Sequence, residues 1–403
     1  MNRSLNLIVL NRCFPPEIGA TGKVARDLGR SLAHRHFTTF LVGRTVENGQ
    51  SQPYSLVRRE SQEGFTVERL GSTGFSHGRM LGRVLNYLSY LSLALFRCLI
   101  LRPKPDVIIA MTDPPLACLV GLLTAIFRKC KFVYNIRDLH PDMALAAGIV
   151  GPGWIVAVWE RLHRWALRRG DLIVVLGEDM KERIQSKGIP VRSIRVVRDG
   201  SEPLDPPAQT EHHVVKAIRR DFPFVLIHAG NLGFAGSWET ILEAARLLAD
   251  ENIGIVFVGD GVLRSKLESL SKNLSHVRFL NYWPQADLPY VLGAGDLHVV
   301  TVKRGLEGLV VPSKLYTILM SGRPILAITP EGSDVSRLVR ESQCGLVADP
   351  DDAGSIAKSV LLARDNPEEV KKMASRARAL GQQFNRNVLA KDFVRAIEEV
   401  AVT

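Results

Sequence analysis

Two short stretches hold the residue types and spacings that could do chemistry. The first is GLEGLVVPSKLYTILMSGRP, residues 305–324. An apolar run over 297–302 precedes it and reads as a buried parallel strand, and a second strand begins at 324. Between them the sequence predicts a glycine-bearing loop, Ser313 as N-cap, a helix over 314–321 that opens with Lys314 and Leu315, and a stop at Gly322 and Pro324. The unpaired N–H groups and positive dipole end of such a helix suit a phosphate. A cation in the first turn gains nothing from that dipole, so Lys314 points to an anionic partner outside the helix. The plain alternative is an ordinary βαβ turn with a solvated lysine.

The second stretch is IRDLHPDMA, residues 136–144, just past an apolar strand over 131–135. It places Arg137, Asp138, His140 and Asp142 at the carboxyl end of a strand, where open α/β sheets hold their ligands. Asp138 comes first after the strand and is the leading candidate to orient or deprotonate a hydroxyl, with His140 second. The competing reading is a solvated charged loop. A third stretch, residues 153–169, sets Trp154, Trp159 and Trp165 beside Arg161, Arg164, Arg168 and Arg169 on one helix. That combination suits a membrane interface, or else the tryptophans enter the core.

The elements that must position these residues follow an α/β alternation. A strand over 5–10 leads through a loop bearing Gly19 and Gly22 into a helix over 23–35. There is no GxGxxG and no GKS or GKT, which disfavours dinucleotide and nucleoside triphosphate binding. Residues 79–104 form a long apolar helix with basic ends. Only the 13 residues between Arg83 and Arg97 are free of charge, against about 20 for a bilayer span, so this is a core or interfacial helix. Strands over 106–111 and 131–135 flank another apolar helix, as in a parallel sheet covered on both faces. Residues 201–222 are rich in proline and polar residues and read as a linker. A second α/β cycle starts at Phe224, with Gly230 and Asn231 in the glycine loop that ends its first strand. The chain therefore divides into domains over 1–200 and 223–384, with a helix over 385–403 crossing back to the first.

Length and charge agree with two domains facing different partners. The 403 residues carry a net charge of +11, with 46% hydrophobic and 23% charged residues. Residues 1–200 hold 29 Lys+Arg against 16 Asp+Glu, and the remainder 23 against 25. The first half therefore faces something anionic, such as a membrane surface or a lipid pyrophosphate. Aromatic residues are 7%, and no zinc-finger or RNA-binding signature is present, so nucleic acid is not expected. Five scattered cysteines without a CxxC pair, and an N-terminal apolar run too short for a secretory signal, predict a cytoplasmic protein.

The order and spacing of FPPEIGATGKVARDLGRSLA, RDLHPD, LIVVLGEDMKERI, HAGNLG, DLHVVTVKRGLEGLVVPSKLY and SGRPILA resemble the retaining family 4 glycosyltransferases, in the WcaI- and WbuB-like branch that builds bacterial surface polysaccharides. The resemblance spans essentially the whole chain. It implies the GT-B fold, two Rossmann-like doubly wound domains facing a central cleft with a C-terminal helix returning to the first. It also implies transfer of a sugar, hexosyl or N-acetylhexosaminyl, from a nucleotide donor of UDP type in the second domain. The acceptor, a polyprenyl-pyrophosphate-linked saccharide at the inner membrane face, would lie in the first, and no metal or other cofactor is implied. The two family glutamates fall here on Leu309 and Thr317, which leaves Glu307 as the sugar-facing carboxylate. The family's basic pair falls on Asn231 and Gly236. The donor pyrophosphate is then left to Lys314, the Ser313–Leu315 helix start, Lys303, Arg304 and the glycine loops at Gly19, Gly230 and Asn231. The acceptor and membrane would engage Arg137, Trp154, Trp159, Arg161 and Arg164. A nucleotide-sugar epimerase and a non-catalytic nucleotide-sugar-binding subunit are the alternatives.

Overall fold

A computed structural model describes residues 3–17, 20–44, 46–47, 50–51, 55–75, 80–207 and 211–402. Gly19 lies outside the described residues. The chain forms two compact units, residues 1–197 with 390–403, and residues 198–389.

The first unit contains β1 (Asn6–Leu10), β2 (Phe37–Val42), the short strands β3 (Val46–Glu47) and β4 (Gln50–Ser51), β5 (Val57–Gln62), β6 (Phe65–Leu70), β7 (Val107–Ala110), β8 (Lys131–Asn135), β9 (Leu172–Val175) and β10 (Ile194–Val196). Apart from the β3–β4 ladder, these make one eight-stranded sheet in the order β10-β9-β8-β7-β1-β2-β6-β5. All pairings are parallel except β5 with β6. The second unit contains β11 (Phe224–Ala229), β12 (Ile253–Val258), β13 (Val277–Leu280), β14 (Leu297–Thr301), β15 (Ile325–Ile328) and β16 (Gly345–Ala348). They form a wholly parallel sheet in the order β13-β12-β11-β14-β15-β16. That is the doubly wound order, with the strand sequence reversing between β11 and β14. In the first sheet the reversal falls between β1 and β7.

The continuous apolar runs are explained by burial on both faces. In the second unit Phe224, Leu226, Ile255, Phe257 and Val299 enter one core cluster. Their alternating neighbours Val225, Ile227, Val256 and Val258 enter another on the opposite face. In the first unit Phe14, Phe40 and Phe65 pack with ring centroids 5.2–6.2 Å apart, in a cluster that also takes Phe393, Val394 and Ile397. Those last residues come from the helix Arg386–Val402, whose distal part belongs to the first unit although it ends the chain.

The segment read as a linker is a correction. Residues 198–222 belong to the second unit, and a helix, His213–Arg219, buries Val214, Val215 and Ile218 against Val225 and Ile227. Three apolar residues on one turn outweigh the polar composition around them. The long apolar helix, Met80–Ile100, is core along one stripe only. Asn86, Tyr90, Ala94 and Cys98 are buried, while Leu81, Leu85, Leu88, Phe96 and Ile100 are exposed. Arg97 ties the helix to the buried Glu68 of β6 at 2.8 and 3.0 Å. Arg128 reaches its last carbonyls from the neighbouring helix Ala117–Arg128. By length and apolarity it could cross a bilayer, but these anchors hold it on the sheet. The five cysteines are unpaired, and all but Cys130 are buried.

Candidate functional site

In the second unit the strand-order reversal brings together the ends of β11 and β14. After β11 the chain turns through Gly230 at φ +151° and Asn231, whose side chain is exposed. The amide of Gly230 donates to Val258 O at 2.8 Å and that of Leu232 to Asp260 O at 2.9 Å, fixing the loop on β12. A Cβ on Gly259 would stand 2.1 Å from Gly230 O, so two backbones touch where no side chain fits. The loop is tied to β14 as well: the Lys303 amide donates to Ala235 O at 2.7 Å, and the Ser237 amide to Thr301 Oγ1 at 3.1 Å.

Lys314 comes to this spot from the next segment. Its Nζ lies 2.9 Å from His228 Nε2, on the penultimate residue of β11. A Cβ on Gly230 would fall 2.9 Å from the same Nζ. Burial drives Lys314 down from the usual lysine range to about 7. Burial, then the nearby Lys314, drives His228 well below its ordinary value, so the imidazole is neutral. Among the described residues no carboxylate forms an ion pair with Lys314. An anion arriving at Gly230 would meet a lysine that no acidic side chain among the described residues has claimed.

The other donor-side expectations divide. Arg304 is exposed, and its guanidinium pairs with Asp349 at 2.7 Å and with Asp351, in a turn closed by the Asp351 amide on Asp349 Oδ1. Lys303 is exposed beside the loop. Ser313 has helical dihedrals of −56° and −24° and makes no side-chain cap, so its hydroxyl does not start the seven-residue helix Lys314–Met320. Leu315 is 2% exposed in the core and its amide already donates to Pro312 O at 3.0 Å, which corrects its assignment to the donor. Glu307 accepts from the Gly305 amide at 2.7 Å, folding the loop onto itself. Of the glutamate-replacing residues, Leu309 is core and Thr317 meets Ser201 Oγ at 3.2 Å.

In the first unit, β7 and β8 end side by side. Thr112 Oγ1 accepts from the amides of both Arg137 at 3.2 Å and Asp138 at 3.3 Å, which fixes the start of the second stretch. Both side chains are half-buried. His140 is a correction. Its ring stacks on Trp159 at 5.7 Å and 17°, and burial lowers it to about 4 against the opposing pull of Asp142. It is a packed neutral ring. Trp159 is half-buried: it packs on His140, and its Nε1 is buried. Trp154 is 77% exposed on the same helix, Trp154–Arg169, and Arg161 is exposed. Arg164 pairs with Glu160 at 2.6 Å. Asp142 is claimed by Lys187 at 2.7 Å.

Two arrangements escaped the sequence reading. One is His228, which sits in an apolar strand and looks like core. The other is Arg12, at the reversal point of the first sheet, paired with Asp113 at 3.2 Å and Glu17 at 3.4 Å and lying 5.6 Å over the Tyr87 ring. The local signal for both was a polar residue at the carboxyl end of a buried strand.

Comparison with known proteins agrees with this architecture. Residues 19–200 match the glycosyl transferase 4-like domain, and residues 209–380 match the glycosyl transferases group 1 family. A Pseudomonas aeruginosa protein that carries the name of a glycosyltransferase, WbjE, is 28% identical over 64% of this chain, which spans 66% of that relative. WcaI of Escherichia coli K12, named for colanic acid biosynthesis, is 27% identical over 79% of this chain and 82% of its own length. Among solved structures, HepE of Anabaena in complex with UDP-glucose has a TM-score of 0.71 at 16% identity, covering 98% of this chain and all of its own. Sucrose-phosphate synthase of Thermosynechococcus elongatus has a TM-score of 0.79 at 15% identity and 99% coverage of both chains. Two doubly wound units, each matched by one of the family's two domains, make this chain a member of the GT-B glycosyltransferases of family 4.

Proposed function

We propose that the chain transfers a sugar from a nucleoside diphosphate donor, UDP-linked, to a polyprenyl-pyrophosphate-linked saccharide, with retention at the anomeric carbon. The observation that carries this reading is Lys314 Nζ at the β11–β14 reversal point, unclaimed by any carboxylate among the described residues and set against the Gly230 main chain. There it would take the donor's phosphates and stabilise charge on the departing nucleoside diphosphate. Asp138 on the first unit would orient the acceptor hydroxyl and receive its proton. This assigns the neutralising charge to a lysine rather than to a divalent cation. HepE, solved with UDP and UDP-glucose, supports a nucleotide-sugar donor. A panel of nucleotide sugars tests this. The true donor should raise the melting temperature by a few degrees when in excess over its dissociation constant. Radiolabel should then pass to a lipid-linked acceptor. Conversion of the donor without any acceptor would identify an epimerase instead. Donor binding with no transfer to any acceptor would identify a binding subunit.

The acceptor reading rests on the first unit. Helix Met80–Ile100 turns Leu81, Leu85, Leu88 and Phe96 outward, and helix Trp154–Arg169 turns out Trp154, Ile155 and Val158. Arg83, Arg161, Arg168 and Arg169 are exposed on the same helices. Apolar side chains among arginines suit the face of an anionic bilayer, where the protein would associate peripherally on the cytoplasmic side. Co-sedimentation with vesicles containing phosphatidylglycerol should be strong at low salt and weak at high salt. The double variant L85E/L88E should bind at least about tenfold more weakly, since each leucine loses part of its ~1.5–3 kcal/mol of burial. Equal binding by the variant would remove this surface from the reading.

A further inference from the structure

A lysine that must meet an anion is useful only if it is both held and left without a carboxylate beside it. The protein's arginines at comparable loops are held by acids: Arg12 by Asp113 and Glu17, Arg304 by Asp349 and Asp351. Lys314 is held by an imidazole instead, at 2.9 Å. His228 lies on the face of β11 that carries Phe224 and Leu226, is 1% exposed, and meets the Trp238 ring edge-on at 4.6 Å and Phe257 at 6.3 Å. Its ring is therefore fixed by packing. The main chain of Gly230 lies beside the pair: a Cβ there would stand 2.9 Å from the Lys314 amine and 3.7 Å from His228 Nε2.

We propose that His228 is a positioning residue, which with Gly230 forms a socket that holds the Lys314 amine at the end of β11 without placing a negative charge beside it. The inference rests on the reading above that Lys314 receives the donor's phosphates. A four-carbon lysine stem loses about 2 kcal/mol of rotamer freedom when fixed, and the socket places that cost in folding rather than in ligand binding. An acid at 228 would hold the amine equally well but would repel the phosphates. An imidazole gives the hydrogen bond without the negative charge. Among the described residues, the charged and titratable groups that act most on His228 are Lys314 and His298 of β14, and both oppose its protonation. The socket therefore carries at most one proton, and a diphosphate draws that proton onto Lys314. Binding near pH 8 takes up a proton from solution.

The test uses UDP as the probe on the full chain, by titration calorimetry at pH 8 in two buffers of different ionisation enthalpy. Wild type should take up a measurable fraction of a proton per UDP, and uptake near zero overturns the charging of Lys314 by the ligand. Gln reaches where the His228 Nε2 stands and Asn does not. H228Q should bind UDP within about threefold of wild type, and H228N at least about tenfold more weakly, each checked by circular dichroism. H228N that is folded and binds like wild type overturns the positioning role. K314M separates the two readings. If K314M binds UDP normally, the phosphate role of Lys314 falls. If K314M is weakened and folded H228N is not, only the socket falls.

Discussion

Replacing Lys314 with glutamate is expected to abolish sugar transfer with both units still folded, and replacement with methionine to lower kcat by about 10²–10³. The reasoning starts from burial. Lys314 has no acidic partner among the described residues and sits at about 7 in the free protein. A diphosphate beside it stabilises the ammonium and raises that value, so donor affinity falls as pH rises from 7 towards 9. The slope approaches one proton. Stability runs the other way. The folded protein holds Lys314 at about 7 while the unfolded chain holds it near the ordinary ~10.4. Between those values the unfolded state binds more protons, so this residue's contribution to stability grows as pH rises. K314M should therefore be at least as stable as wild type at neutral pH while losing activity. Melting curves beside turnover measure both. Wild-type turnover in K314E would end the donor assignment.

D138N should lose turnover by about 10²–10⁴ and keep donor binding. Asp138 is the first acid after β8, and its main chain is fixed by Thr112 Oγ1 at 3.3 Å. It belongs to the first unit, whereas Lys314 and Gly230 belong to the second. Its amide counterpart preserves size and hydrogen bonding but cannot take a proton. UDP calorimetry and acceptor-dependent turnover on the same preparation separate the two roles. Lost UDP binding in folded D138N would move Asp138 to the donor, and unchanged turnover would remove it from the chemistry.

Where local pattern decides structure, the sequence was legible. Apolar runs such as LNLIVL and IGIVFV became buried strands because both sheet faces are covered, and the glycine loop after Phe224–Ala229 appeared where expected. The failures were of another kind. Val214, Val215 and Ile218 make a buried turn inside a polar, proline-rich segment, where composition masks periodicity. Arg304 looked available until Asp349 and Asp351, about forty-five residues later, closed on it. Trp159 looked like an interfacial tryptophan until His140 met its ring. His228 shows the same limit from the opposite side, since the residue that gives it meaning is 86 positions away. Lys314 itself was singled out on the strength of a helix terminus. The fold instead brings it to His228 of β11 and to a glycine in the loop that follows that strand.

The chain's last helix has a consequence for its synthesis. Phe393, Val394 and Ile397 complete a core whose other members, such as Leu7, Val9 and Phe40, leave the ribosome first. The first unit's barrier to solvent thus stays open while the entire second unit is translated, about 10–40 s at 5–20 residues per second. The second unit, continuous in sequence, has no such delay and can mature before the older half is sealed.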